Sequence, residues 1–174
     1  MRNYIRNIHP NPPIIKTFIK KGTDALELVK YAETQINKYN INFSAGEQVW
    51  CVLDVDDKTD EQLQNAFIDA GKHNIKMALS NPSFELWYLL HFIFTTAFFN
   101  NCQLISDLKK HIPNYVKNRS IFDKIKDITA AALRNAELLE LHHIRNTTVL
   151  PSRNSNPSTM VYKLVNCFFP LNTG

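Results

Sequence analysis

Three aspartates that follow an apolar run, Asp54, Asp56 and Asp57, are the residues of this sequence best suited to chemistry. Two residues apart, Asp54 and Asp56 point to the same side of the chain if it stays extended there. Carboxylates held that close raise each other's pKa or bind a cation, and oxygen ligands suit Mg²⁺ or Mn²⁺. The pair therefore predicts a metal site, with Asp57 as a further ligand. The alternative is a solvated loop, because Asp is common in turns and helix caps.

The elements that must position these aspartates are strands and helices in alternation. The run Val49-Trp50-Cys51-Val52-Leu53 has the β-branched and aromatic residues of a buried strand, and residues 14–19 and 75–79 are two further predicted strands. A capping box of Thr59 and Gln62 begins one of the helices predicted between them. Sites in open α/β sheets form just beyond the carboxyl ends of the strands. The sequence therefore predicts an α/β fold with a small parallel sheet flanked by helices, whose carboxyl edge carries the aspartates.

A fourth carboxylate, Glu85, is expected at the same edge. It lies in the first turn of the helix predicted after the strand at residues 75–79. The apolar tract at residues 86–99 is shorter than the roughly 20 residues that a bilayer span needs, and it predicts a buried core helix. A carboxylate at a helix N-terminus is also favoured by the helix dipole. Glu85 is thus interpreted either as a metal ligand or as a helix-stabilising charge.

The composition is that of an ordinary globular protein, with 174 residues, of which 44% are hydrophobic and 21% charged. A net charge of +4 permits an anionic partner without requiring one. Three cysteines without a CxxC pair fit a reducing compartment, and the first residues lack the apolar core of a signal peptide. The protein is therefore expected in the cytoplasm and off the membrane. With four glycines and no phosphate-cradling glycine loop, no nucleotide hydrolysis by this chain is expected.

The second half of the chain has a helical pattern only. Residues 1–101 are predicted to form the α/β core, and residues 102–174 a helical extension packed on it as one globular unit. The basic side chains of this half are either solvated helix faces or a phosphate-binding surface. Residues 147–155 predict a flexible polar loop, residues 156–159 the cap of a last helix, and His142 and His143 a basic helix C-terminus. These basic side chains are Lys109, Lys110, Lys117, Arg119, Lys124, Lys126, Arg134, Arg145 and Arg153.

Several motifs, taken together from about residue 14 onward, resemble the RloB-like (AbiLii-like) family of bacterial phage-defence proteins. The motifs are Val49-Trp50-Cys51-Val52-Leu53-Asp54-Val55-Asp56-Asp57, Ala78-Leu79-Ser80-Asn81-Pro82-Ser83-Phe84-Glu85-Leu86-Trp87-Tyr88-Leu89-Leu90-His91-Phe92, Tyr115-Val116-Lys117, residues 131–136 and Asn156-Pro157-Ser158-Thr159. The resemblance implies a Toprim-like core, abortive infection, metal-dependent cleavage of nucleic-acid phosphodiesters, and an ABC-type or AAA-type ATPase partner. Asp54 and Asp56 match the Asp-x-Asp of the Toprim site, which holds Mg²⁺. Glu85 and His91 match family-typical positions, so both are implied catalytic residues.

One family feature is missing from this sequence. Family members usually begin with an extra strand and a Glu-Gly-x-x-Thr-Glu turn, whose first Glu is the third carboxylate of the Toprim site. The chain is expected to begin at the second strand, and the loss of that carboxylate would impair catalysis. An exposed sheet edge pairs readily with another chain, so a homo-oligomer is a further expectation. The alternative function is a catalytically inactive interaction module that binds an ATPase partner or DNA or RNA.

A third interpretation is a phosphatase, because Leu53-Asp54-Val55-Asp56-Asp57-Lys58-Thr59 resembles the haloacid dehalogenase superfamily. Asp54 would be its nucleophile and Asp56 its acid/base, with Ser80 at the end of another strand. The threonine lies one place too far along, and the acidic pair of a later strand is not found. The phosphatase therefore ranks below the nuclease and the interaction module.

Overall fold

A three-stranded sheet flanked by helices organises this computed structural model, which describes residues 24–117 and 119–167. The predicted strand at residues 14–19 lies outside the described residues. The strands are β1 (Val49–Asp54), β2 (Ile75–Asn81) and β3 (Ser158–Thr159). The α-helices are α1 (Ala25–Tyr39), α2 (Asp60–Lys72), α3 (Glu85–Leu89), α4 (Asn101–His111), α5 (Phe122–Ile125), α6 (Thr129–Arg145) and α7 (Val161–Asn166). The predicted α/β class, with a small sheet between helices, is confirmed.

The sheet is mixed because its third strand runs against the other two. β1 pairs in parallel with β2 and places Asp54 opposite Ser80. β2 pairs antiparallel with β3 and places Ser80 opposite Thr159. The sequence predicted a parallel sheet and assigned residues 156–159 to a helix cap. A two-residue strand is too short to show alternation, which is why it was missed; the Thr159 hydroxyl still accepts a hydrogen bond from the Val161 amide (3.3 Å).

The helices that frame β1 begin where the sequence predicts. The Asp24 carboxylate accepts a hydrogen bond from the Ala25 amide (2.7 Å) and caps α1. The predicted capping box of α2 is present, since Thr59 and Gln62 exchange side-chain to backbone hydrogen bonds of 2.8 and 3.2 Å. Small and aliphatic side chains of both helices are buried against the sheet. This packing fixes the turn between β1 and α2, where the aspartates lie.

The buried helix predicted for residues 86–99 is much shorter than expected. α3 ends at Leu89, and residues 93–100 have no regular structure. The side chains of Phe94 and Phe98 are exposed. A continuously apolar tract carries no periodicity that would mark a helix end, and its β-branched Thr95 and Thr96 disfavour a helix. The prediction of a long core helix was therefore wrong.

Two hydrophobic clusters form the core, and the division between them falls between β2 and α3. The first lies between α1, α2 and the sheet and includes Val29, Leu63 and Leu79. The second gathers α3 with the later helices and includes Trp87 and Leu133. The proposed division of the chain after residue 101 stays a prediction. Within the described ranges, no helix combines the length and apolar character needed to cross a membrane.

Candidate functional site

Asp54 ends β1 at the carboxyl edge of the sheet, where the sequence predicted it. Beyond it, the Val55 amide donates to the Ser80 carbonyl (2.9 Å), so the parallel pairing continues to this edge. The Asp54 carboxylate oxygen Oδ1 accepts a hydrogen bond from the Phe84 amide (2.9 Å). The Lys58 ammonium donates to the Asp54 carbonyl (3.1 Å). The carboxylate is thus held between the end of β1 and the turn that precedes α3.

Glu85, the first residue of α3, lies directly after the amide that binds Asp54. Its side chain is buried, and Oε1 accepts a hydrogen bond from the Tyr115 hydroxyl (3.0 Å). The Lys117 ammonium lies 3.8 Å from the same oxygen. Burial and the negative charge of Glu85 both raise the pKa of Tyr115, so the phenol stays a hydrogen-bond donor. The predicted convergence of Glu85 and Asp54 at one edge is thus present in the structure.

The electrostatics of Asp54 connect three of the predicted site residues. Burial, and after it the negative charges of Asp56 and Glu85, together raise its pKa to about 6. The Phe84 hydrogen bond and the positive charge of Lys117 act in the opposite direction but do not cancel the increase. An excess of negative charge therefore exists around Asp54.

Asp56 reaches this environment by a different geometry from the one expected. The chain turns after β1, and Asp56 has a left-handed backbone with φ of 42°. The Lys58 amide closes the turn by donating to the Val55 carbonyl (3.1 Å). Asp56 and Asp57 are exposed. The alternation argument that placed Asp54 and Asp56 on one side of an extended chain was therefore wrong, although Asp56 acts on Asp54 through its charge.

The described residues contain no group of three or more Asp, Glu, His or Cys side chains close enough to hold a metal ion. Mg²⁺ is commonly held by one or two carboxylates while it keeps several waters. The side chains around Asp54 offer oxygen ligands and excess negative charge, and this donor set fits Mg²⁺ or Mn²⁺. The assignment of Asp54, Asp56, Asp57 and Glu85 as metal ligands stays a prediction.

The histidines of interest have structural partners. His91 is buried, with Nδ1 2.8 Å from the Trp87 carbonyl oxygen and its ring edge-to-face with the Trp87 indole. Burial lowers the pKa of His91 to about 4, so the ring is neutral at physiological pH. Its implied catalytic role stays a prediction. His142 and His143 lie in the last turn of α6, as predicted, and His143 Nε2 lies 2.7 Å from the Pro157 carbonyl oxygen.

Comparison with protein families gives one match over nearly the whole chain. The family model described as RloB-like protein matches residues 2–167. The chain belongs to the RloB-like family. Comparison with curated proteins and comparison with solved structures give no match. The family predicted from the motifs is confirmed, whereas the Toprim-like character of the RloB-like core stays a prediction.

Two motifs that carried the RloB-like resemblance contribute side chains whose contacts sequence reasoning did not predict. Tyr115 and Lys117 come from one motif, and both contact Glu85. Thr159 comes from another, and its hydroxyl lies 2.9 Å from the Ser80 hydroxyl, both being buried. These contacts join residues 30 to 79 positions apart. The motifs were a usable signal, but the pairings became visible only through the fold.

Proposed function

We propose that this RloB-like protein is a metal-dependent nuclease of bacterial antiviral defence, acting through abortive infection on nucleic-acid phosphodiesters. The observation that carries the proposal is the state of Asp54. Its carboxylate is oriented by the Phe84 amide, and its pKa is raised to about 6 by burial and by the charges of Asp56 and Glu85. Carboxylates that repel one another at the carboxyl edge of strands are characteristic of cation-binding active sites.

In this proposal, Asp54 and Asp56 hold Mg²⁺ or Mn²⁺, with help from Asp57 or Glu85. Such an ion, when bound, supplies polarisation of a phosphate and a water of lowered pKa. The Phe84 amide keeps Asp54 Oδ1 in a fixed orientation. Tyr115 and Lys117 both act on Oε1 of Glu85, and within the described residues the structure gives no hydrogen bond or ion pair to Oε2. In this proposal, Glu85 contributes Oε2 to the ion while Oε1 keeps its two partners.

The family resemblance adds an ABC-type or AAA-type ATPase partner to the proposal. The cytoplasmic location rests on the cysteine pattern, and self-association rests on the expected exposed sheet edge. Those basic side chains of the second half of the chain that lie beside the carboxylates, such as Lys117, would contact the nucleic-acid backbone, and the others would be solvated helix faces.

The second candidate is an interaction module without chemistry, and the environment of Glu85 favours it. Glu85 is buried, begins α3 and has two partners for Oε1, as expected of a carboxylate that stabilises structure. A module of this kind would bind the ATPase partner or a nucleic acid at the carboxyl edge of the sheet. The two candidates differ in whether Asp54 binds a divalent ion.

Calorimetric titration with Mn²⁺ and Mg²⁺ separates these candidates without a guess at the substrate. The intact protein would be compared with Asp54→Asn and Glu85→Gln. Asp123→Asn is the matched control, because the Asp123 side chain is 92% exposed. Binding lost in the Asp54 and Glu85 variants and kept in the control supports the nuclease and makes Glu85 part of the site. A folded intact protein that binds neither ion contradicts the nuclease and favours the module.

A further inference from the structure

The loop between α6 and β3, predicted as flexible, is anchored at both of its ends. Hydrogen bonds tie residues 151–157 to α2, β2, α6 and the segment before α4. Among them are bonds from Gln64 Nε2 to Pro151 O (3.1 Å), from Asn81 Nδ2 to Ser152 O (3.0 Å), from Asn156 Nδ2 to Phe99 O (2.8 Å), and between His143 Nε2 and Pro157 O (2.7 Å). A loop held in this way can position an exposed side chain on a rigid scaffold.

Arg153 is held by residues at the carboxyl edge of the sheet. Its amide donates to Asp60 Oδ1 (2.6 Å), and its carbonyl accepts from Asn81 Nδ2 (3.1 Å). Asp60 begins α2, and Asn81 follows Ser80, the residue opposite Asp54 in the sheet. The backbone of Arg153 is therefore fixed between the segments that follow β1 and β2, at the edge where β1 ends.

The Arg153 side chain is exposed, and within the described residues the structure gives no ion pair for it. The nearby carboxylate of Asp60 uses Oδ1 on the backbone of Arg153. A fixed backbone next to Asp60 with an exposed guanidinium leaves that cation available to an anionic ligand. The planar guanidinium fork binds phosphate oxygens in a bidentate manner.

A cation is needed here because a polyanionic substrate would be repelled by the carboxylates around Asp54. Lys117, which is 60% exposed, provides one positive charge on the Glu85 side of the cluster. Arg153 provides a second on the Asp60 side. We propose that Arg153 binds a backbone phosphate of a nucleic acid at this edge, so that Arg153 and Lys117 flank the carboxylates. The part of Arg153 in cleavage rests on the proposed nuclease function, whereas its part in binding can be measured separately.

Fluorescence anisotropy with labelled single-stranded DNA, and with RNA of the same sequence, tests the binding role in the presence of EDTA. Arg153→Gln removes the charge, and Arg153→Lys keeps the charge but removes the fork. Arg134→Gln is the matched control, since Arg134 is an exposed arginine of α6. We expect Arg153→Gln to bind roughly tenfold more weakly and its log-affinity to depend less steeply on log salt, by about 0.7, for the loss of one phosphate contact. The affinity of Arg153→Lys should lie between those of Arg153→Gln and the intact protein, and the affinity of Arg134→Gln should equal that of the intact protein.

The inference is overturned if Arg153→Gln binds as tightly as Arg134→Gln, or if the intact protein does not bind either probe at low salt. Because the side chain is exposed, the melting temperature of Arg153→Gln should equal that of the intact protein, which confirms that the variant is folded. Arg153-dependent binding by a protein that fails to bind Mn²⁺ would remove the nuclease proposal and keep this inference. Asp54-dependent Mn²⁺ binding, together with a nucleic-acid affinity that does not depend on Arg153, would keep the nuclease proposal and remove this inference.

Discussion

Asp54→Asn should make the metal-free protein more stable at neutral and alkaline pH, although it alters a residue of the candidate site. Asparagine has nearly the same shape, and its Oδ1 can still accept the hydrogen bond from the Phe84 amide. The substitution removes the negative charge that burial, Asp56 and Glu85 all disfavour. Residues that destabilise the fold are expected where function requires them.

The magnitude follows from the pKa of Asp54, which rises from 3.8 to about 6 on folding. A shift of about two units corresponds to about 3 kcal/mol at 1.36 kcal/mol per unit. Since the raised pKa means that the folded state holds its proton longer, the ionised carboxylate destabilises the fold. The penalty begins above the unfolded value near 3.8 and is complete above about 6. Because Asp54 is only partly buried and salt screens its neighbours, we expect about 2 kcal/mol of this to be measurable.

Urea unfolding of the intact protein and of Asp54→Asn, in EDTA at several pH values, measures this difference. The free energy of unfolding of the variant should exceed that of the intact protein by about 2 kcal/mol near pH 8, and by less than about 0.5 kcal/mol near pH 4. Asp123→Asn, at an exposed carboxylate, should change it by less than about 0.5 kcal/mol at either pH. A variant that is less stable near pH 8, or equally shifted at both pH values, would refute the electrostatic account of this site.

Two other substitutions test the partners of the site. Tyr115→Phe should lower the free energy of unfolding by about 1–3 kcal/mol, because buried Glu85 loses a hydrogen bond from the hydroxyl; urea unfolding measures this, and an unchanged midpoint would contradict it. His91→Phe should cost about 1–3 kcal/mol near pH 8, because the Trp87 carbonyl loses a partner. The deficit should shrink as the pH falls from about 6.5 to about 4, since the variant has no buried imidazole to protonate; a pH-independent deficit would contradict the lowered pKa of His91.

The sequence predicted elements where local chemistry decides them. The capping box at Thr59 and the β-branched run of β1 each specify one conformation from neighbouring residues, and both predictions were confirmed. The length of α3 and the existence of β3 depend on packing with distant parts of the chain. A uniform apolar tract and a two-residue strand carry no period, so these features could not be obtained from the sequence.

The candidate site could be predicted as a location and less well as a set of contacts. The rule that sites lie beyond the carboxyl ends of strands placed Asp54 and Glu85 at one edge, where they influence each other. The turn at Asp56 broke the assumption of an extended chain. The attachment of Arg153 to Asp60 and Asn81 joins residues 93 and 72 positions apart, and no local pattern indicates it.

The pKa shifts of Asp54 and His91 have different causes, and these causes predict different responses to a bound cation. For Asp54, like charges add to burial, and a bound cation would reverse that part of the shift. For His91, burial is the largest cause, and it acts against the backbone hydrogen bonds to Trp87 and Tyr88. The two groups also change the free energy of unfolding in opposite directions as the pH falls from about 6 to about 4. Protonation of Asp54 in the folded state raises the free energy of unfolding, because the unfavourable buried charge is removed. His91 lowers it over the same range, because the imidazole takes up a proton more readily in the unfolded state. The contributions of these two groups to the free energy of unfolding should therefore largely offset each other, whereas a divalent ion should stabilise the protein mainly above pH 6, where Asp54 is ionised.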